Sequence, residues 1–157
     1  MGGGISSNKK IKFLHLGGQS GSIGGENIID TTYSYTDLKK AGLSVGSGAI
    51  VVMDETVSIT QYIKQVTEFF IHESCGKCVP CREGNRQLNK LLKIITIPGA
   101  ADLTDLVTIK RICDTMNAAA FCGLGQTATA ALISAWNIFR DEFEASIGKK
   151  KPAEKTR

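Results

Sequence analysis

The chain has 157 residues, 42% of them hydrophobic, and a formal net charge of +4. That length suits one ordinary domain or two small ones, and the apolar share is that of a globular protein. No run approaches the roughly 20 apolar residues of a membrane helix, the first ten residues lack the apolar centre of a secretory signal, and no basic stripe interleaved with aromatics marks a nucleic-acid surface. The expectation is a cytoplasmic protein that neither inserts in a membrane nor binds nucleic acid.

Residues 1–10 are rich in Gly and Ser and are expected to be disordered. Residues 11–16 form an apolar-rich run that predicts a strand. The glycines between 17 and 25 stop it. This stretch matches neither G-x-G-x-x-G nor G-x-x-x-x-G-K-[ST], so a turn is the better reading than a phosphate loop. Residues 31–36 read as a loop, and 37–42 as one helical turn closed by Gly42. Residues 49–53 have the pattern of a buried strand. Residues 11–56 therefore make a small β-rich unit.

The character changes at Ser58. Ser58-Ile59-Thr60-Gln61 has the form of a capping box, in which Ser and Gln satisfy free backbone groups at a helix start. Ile59, Ile63, Val66 and Phe70 then recur at helical spacing toward Glu73. A second helix is predicted over 85–95, with Leu88, Leu91, Leu92 and Ile95 on one face. A third is predicted over 101–116, with Cys113 in its apolar register. A fourth is predicted from just after Gly125 to about Ile147, through Trp136, Phe139 and Phe143. The fold class expected is α+β: a partial β unit over 11–56, then a four-helix bundle over 57–147. Lys149, Lys150, Lys151, Lys155 and Arg157 make residues 148–157 a basic tail, expected to be solvated and disordered.

Three of the five cysteines fall within seven residues, Cys75-Gly76-Lys77-Cys78-Val79-Pro80-Cys81. An odd count in a chain without an export signal points to metal rather than disulfides. The C-x2-C-x2-C spacing lets three thiolates reach three corners of one iron–sulfur cubane, and it is the first part of the bacterial ferredoxin run. That run would place another Cys four residues after Cys81, where Asn85 stands, so the fourth ligand is Cys113 or Cys122. Cys122 lies between two predicted helices beside Gly123 and Gly125, where backbone approaches a cluster closely. Cys113 lies in a helix register that buries it. Cys122 is the preferred ligand. Lys77 and Arg82 flank the anionic cluster, and a helix beginning after Cys81 would aim its N-terminal dipole at it; both favour the reduced state. Structural zinc is the rival, although zinc sites more often use two separated cysteine pairs.

Other signals are bland. His15 reads as structural and His72 as an ordinary helix-end residue. Asp141, Glu142 and Glu144 read as a solvated helix face rather than an acid/base pair.

The segment from Glu73 to Gly84, with Cys122-Gly123-Leu124-Gly125-Gln126, resembles the C-terminal iron–sulfur domain of the NADH-binding flavoprotein subunit of respiratory complex I. It also resembles the β subunit of NAD-linked and electron-bifurcating hydrogenases and formate dehydrogenases. Upstream, Gly17 to Gly21, Tyr35 to Gly42 and Gly46 to Glu55 look like the second part of a β-grasp domain of the SLBB type. The resemblance implies a [4Fe–4S] cluster on Cys75, Cys78, Cys81 and Cys122 that exchanges electrons with a nearby FMN. That family's large flavin- and NADH-binding domain and the first hairpin of the β-grasp unit have no counterpart here. The expectation is thus a fragment or split subunit. Its partner chain would bind FMN and NAD(P)H and supply the missing strands, since so small a β unit is marginal alone. The chain then has no complete active site of its own. The competing expectations are a non-redox module built on zinc and a small-ligand site in the β-grasp remnant.

Overall fold

The structure, a computed structural model, describes residue 5 and residues 9–148. The disorder expected of residues 1–10 and 148–157 concerns segments that lie, apart from residues 5, 9, 10 and 148, outside the described residues. Three strands, β1 (Ile11–Leu16), β2 (Ser22–Gly24) and β3 (Ile50–Asp54), form an antiparallel sheet in the order β2-β1-β3. A 3-10 turn (Glu26–Ile28) and helix α1 (Tyr35–Lys40) connect β2 to β3. The helical part comprises α2 (Ile59–Glu73), α3 (Val79–Ile95), α4 (Leu103–Ala119), α5 (Gly123–Thr127), α6 (Ala130–Ile138) and α7 (Arg140–Glu144).

β2 is not legible as a strand in the sequence, because three residues carry no alternation. Tertiary contacts make it. Ile23 is fully buried, and its N–H donates to Ser134 Oγ of α6 at 2.8 Å. Pairing against β1 sets His15 opposite Ile23 on one side and opposite Val51 on the other. α2 starts as expected, with Ser58 Oγ accepting from the Gln61 N–H at 3.4 Å. Two helices begin differently from expectation. α3 starts at Val79 rather than Asn85, because Cys78 caps it and Pro80 suits a first turn, where the missing N–H has no partner to lose. α4 starts at Leu103 on a capping box made by Asp102 and Asp105.

The expected four-helix bundle needs correction. The single last helix is three short ones, broken at Thr129 and again at Phe139, where φ −115° and ψ 37° leave the helical region. The break lets Phe139 pack edge-on against Phe13 of β1, with ring centroids 5.9 Å apart, and lets Trp136 and Phe143 meet at 5.1 Å. Burying large rings against the sheet outweighs continuing the backbone ladder for a few residues. Glu142, read from sequence as merely solvated, bonds the Lys12 ammonium at 2.8 Å. The chain then returns to the segment just before α4, where Ala101 and Ile147 form a parallel bridge.

The main core joins sheet and helices: Phe13 and Ile23 pack with Ile63, Phe70, Leu92 and Met116. A smaller cluster of Leu16, Ile28, Leu38 and Leu43 lies under α1. His15 is 2% exposed, and its Nδ1 shares a 2.8 Å hydrogen bond with the Tyr62 hydroxyl of α2. Burial holds the His15 pKa below the ordinary imidazole value. The folded state therefore favours neutral His15. Its contribution is complete above the unfolded-state value near about 6.5, and is lost as pH falls from there through the lower folded-state value. Urea unfolding at several pH values between about 7.5 and 5 is expected to show a steeper acid loss in the wild type than in His15→Gln. Parallel curves would remove His15 as the cause.

Candidate metal centre

The site is assembled at the ends of helices. α2 ends at Glu73, and Ser74 caps it with its N–H on the Phe70 carbonyl. The chain then turns through Gly76, whose φ of +74° lies in the left-handed region that side chains disfavour. Cys78 is the N-cap of α3, and Cys81 lies in that helix's first turn. Helix α3 then turns back along α2, and α4 returns the chain to Ala120, where Phe121 and Cys122 lead into α5.

This path brings Cys75, Cys78, Cys81 and Cys122 to the wall of one cavity of about 400 Å³, together with Glu73, Ser74, Lys77, Phe121 and Leu124. The four thiols differ. Cys75 and Cys122 are exposed, Cys78 is half-buried and Cys81 is buried. A groove of similar size, about 420 Å³, lies between α4 and α6, shares no lining residue with this cavity and is mainly apolar. Cys113 faces that groove and is 2% exposed within the main core. Burial pushes its thiol up to about 12. Among the described residues no three Cys, His, Asp or Glu side chains close on a point that a single metal ion would occupy.

The electrostatics favour a thiolate at Cys78. The Cys78 thiol is held below its ordinary value, first by the Phe121 N–H and then by the Cys81 N–H. The Phe121 donor comes from the segment that carries Cys122, so the two halves of the motif support each other. Lys77 lines the cavity. Arg82 does something the sequence did not reveal: its Nη1 donates to the Gly76 carbonyl at 2.6 Å and its Nε to Glu83 at 3.0 Å, which clamps the loop between Cys75 and Cys78. His72 is an exposed helix-end residue paired with Glu73 at 3.1 Å.

Three neighbours of Cys81 are not apparent in the sequence. Ser74 Oγ lies 3.3 Å from Cys81 Sγ, and Asn85 Nδ2 lies 3.5 Å from it. Gly125 packs its bare Cα against the same residue; a Cβ there would stand 3.0 Å from Cys81 Cβ. The one signal available is spacing: Asn85 is one helical turn after Cys81 and so shares its face.

Residues 61–146 match the family model described as the NADH-ubiquinone oxidoreductase-F iron-sulfur binding region. The chain belongs to this family. An NADH-quinone oxidoreductase subunit of Streptomyces coelicolor is 36% identical over 147 residues, which are 94% of this chain and 32% of that protein. The HndC subunit of the NADP-reducing hydrogenase of Solidesulfovibrio fructosivorans is 35% identical over 151 residues, 96% of this chain and 31% of that one. The chain thus spans about a third of the length of these curated relatives. The crystal structure of an NAD+-reducing [NiFe]-hydrogenase in the H2-reduced state has a similar fold, with a TM-score of 0.80 at 23% identity over 91% of this chain and 24% of that one. Among the described residues no helix is long and apolar enough to cross a membrane.

Proposed function

We propose that Cys75, Cys78, Cys81 and Cys122 hold one [4Fe–4S] cluster, and that this chain relays single electrons between it and an FMN site served by NAD(P)H on a partner chain. The observation that carries this reading is the convergence of cysteines from two distant segments on one cavity, while Cys113 is turned into the core. A zinc ion would need four sulfurs within about 2.3 Å of a single point. Thiols rimming a cavity of about 400 Å³ suit a polynuclear cluster better.

When bound, the cluster supplies one-electron oxidation and reduction without a proton. The residues of this chain do the rest. The Phe121 N–H prepares Cys78 as a thiolate. Buried Cys81 and the half-buried Leu124 keep water from one side. The Lys77 ammonium, and the Arg82 guanidinium that also lowers the Cys78 pKa, favour the more negative, reduced state. The N-terminus of the 17-residue helix α3 acts in the same direction. On this reading residues 11–56 are part of a β-grasp unit. A partner's strand would extend its sheet at β3, an edge strand on which Ile50 and Val52 are half-exposed. The complex is cytoplasmic on the same reading.

The names of the relatives support a redox partnership, since both are subunits of nicotinamide-linked oxidoreductases. Protein purified without oxygen is expected to carry about four iron and four labile sulfide per chain. Iron chelation under reducing conditions should bleach it and lower its thermal stability. Zinc without iron or sulfide would instead establish the structural-zinc module.

A further inference from the structure

The four cysteines are not equivalent in their surroundings. Cys81 is buried and is the corner approached by neutral side-chain donors. Ser74 Oγ is 3.3 Å from its sulfur, and Asn85 Nδ2 is 3.5 Å from the same atom. Sulfur is large and diffuse, so these separations are within hydrogen-bonding range even though they exceed those to oxygen.

The direction of both bonds is set by the rest of the network. The Gly76 N–H donates to Ser74 Oγ at 3.3 Å, which uses the hydroxyl as an acceptor and leaves its proton for sulfur. Asn85 is 1% exposed. One of its two N–H groups goes to the Cys81 carbonyl at 3.0 Å, and this fixes the amide so that its nitrogen, not its oxygen, faces the sulfur. A thiolate accepts and cannot donate, so once Cys81 is ionised both contacts run toward it.

We propose that Ser74 and Asn85 are positioning residues whose hydrogen bonds to the Cys81 thiolate raise the reduction potential of the cluster. This rests on the cluster reading given above. Donors to a ligating sulfur withdraw negative charge, and the reduced state, one electron richer, gains more from that withdrawal. The effect is strong here because the donors act at a buried corner, where water does not screen them. Gly76 takes part indirectly: it turns the loop so that its N–H reaches Ser74, and the Arg82 clamp on its carbonyl holds that turn.

The test is an EPR-monitored redox titration of cluster-loaded protein, with iron and sulfide measured in parallel. Ser74→Ala and Asn85→Leu are each expected to keep a full cluster and shift its midpoint potential downward. The double variant should shift further than either. Ser74→Thr keeps the hydroxyl and should titrate like the wild type. The proposal is overturned if Ser74→Ala is fully loaded and its midpoint is unmoved, or if Ser74→Thr falls as far as Ser74→Ala. It is equally overturned if Ser74→Ala fails to load while Ser74→Thr loads normally, since the hydroxyl then serves assembly and not potential. A wild-type chain that holds zinc and shows no redox signal defeats the cluster reading itself, a different result from an unmoved midpoint.

Discussion

Cys122→Ser is expected to leave the chain folded but without its intact [4Fe–4S] cluster, whereas Cys113→Ser will keep the cluster and lose stability. The two cysteines differ in every respect that matters to a ligand. Cys122 is exposed, caps α5 without using its side chain, and lines the cavity with the other three thiols. Serine is itself a favoured N-cap, so the fold loses little by the change. Its hydroxyl is far harder to ionise than a thiol and makes a poor fourth ligand. Cys113 is packed among core residues, and burial keeps its thiol protonated at neutral pH. Placing a hydroxyl there costs about 1–3 kcal/mol for a polar group without a designed partner, and does so away from the four-cysteine cavity. Iron and sulfide content, with the EPR spectrum of the reduced protein, reads the first effect; urea unfolding reads the second. If Cys113→Ser empties the site and Cys122→Ser fills it normally, the ligand assignment is wrong.

Gly125→Ala is the second substitution with a large expected effect. A Cβ at this position would stand 2.7 Å from Ala120 Cβ, 3.0 Å from Cys81 Cβ and 3.3 Å from Cys81 Sγ. The two nearest are Cβ atoms bonded directly to the backbone, so no side-chain rotation relieves those contacts. Either α5 lifts from α3 or Cys81 is pushed toward the cavity. Overpacking of this kind costs about 1–3 kcal/mol, and here the displaced residue is also one of the four proposed cluster ligands. Reduced iron occupancy, an altered EPR line shape and a lower unfolding midpoint are expected together. Gly123→Ala is the control, because a Cβ there meets nothing within 4 Å. Equal stability and equal iron in the two variants would show that close packing at Gly125 does not govern the site.

Local and remote interactions divide the fold unevenly. Helix α2 is legible in the sequence to within a residue because its cap and its apolar stripe are local signals. The start of α3 is not. Pro80 and Gly84 look like helix breakers, yet one sits in the first turn and the other makes room for Met116 on α4. The last helix is overextended in the sequence reading for the converse reason: its apolar residues continue without a break signal, and only contacts with Phe13 and Lys12 on β1 show why the backbone must turn at Phe139.

The cysteines show the same division. Three thiols within seven residues can share a cluster whatever the rest of the chain does, since two-residue spacers keep them within reach of one another. That much is covalent geometry, and the sequence by itself determined it. The spacing did not choose between Cys113 and Cys122; helical register favoured the second. Only the packing of α3 and α4 brings Cys122 to the far wall of the cavity, and only there do the Phe121 N–H, Ser74, Asn85 and Gly125 meet the sulfurs. The clustering of three thiols is a property of short-range sequence, while the choice of Cys122 over Cys113 needs the packed helices. The hydrogen bonds and close contacts that condition those ligands depend on distances of a few ångströms between remote residues, which tertiary structure alone decides.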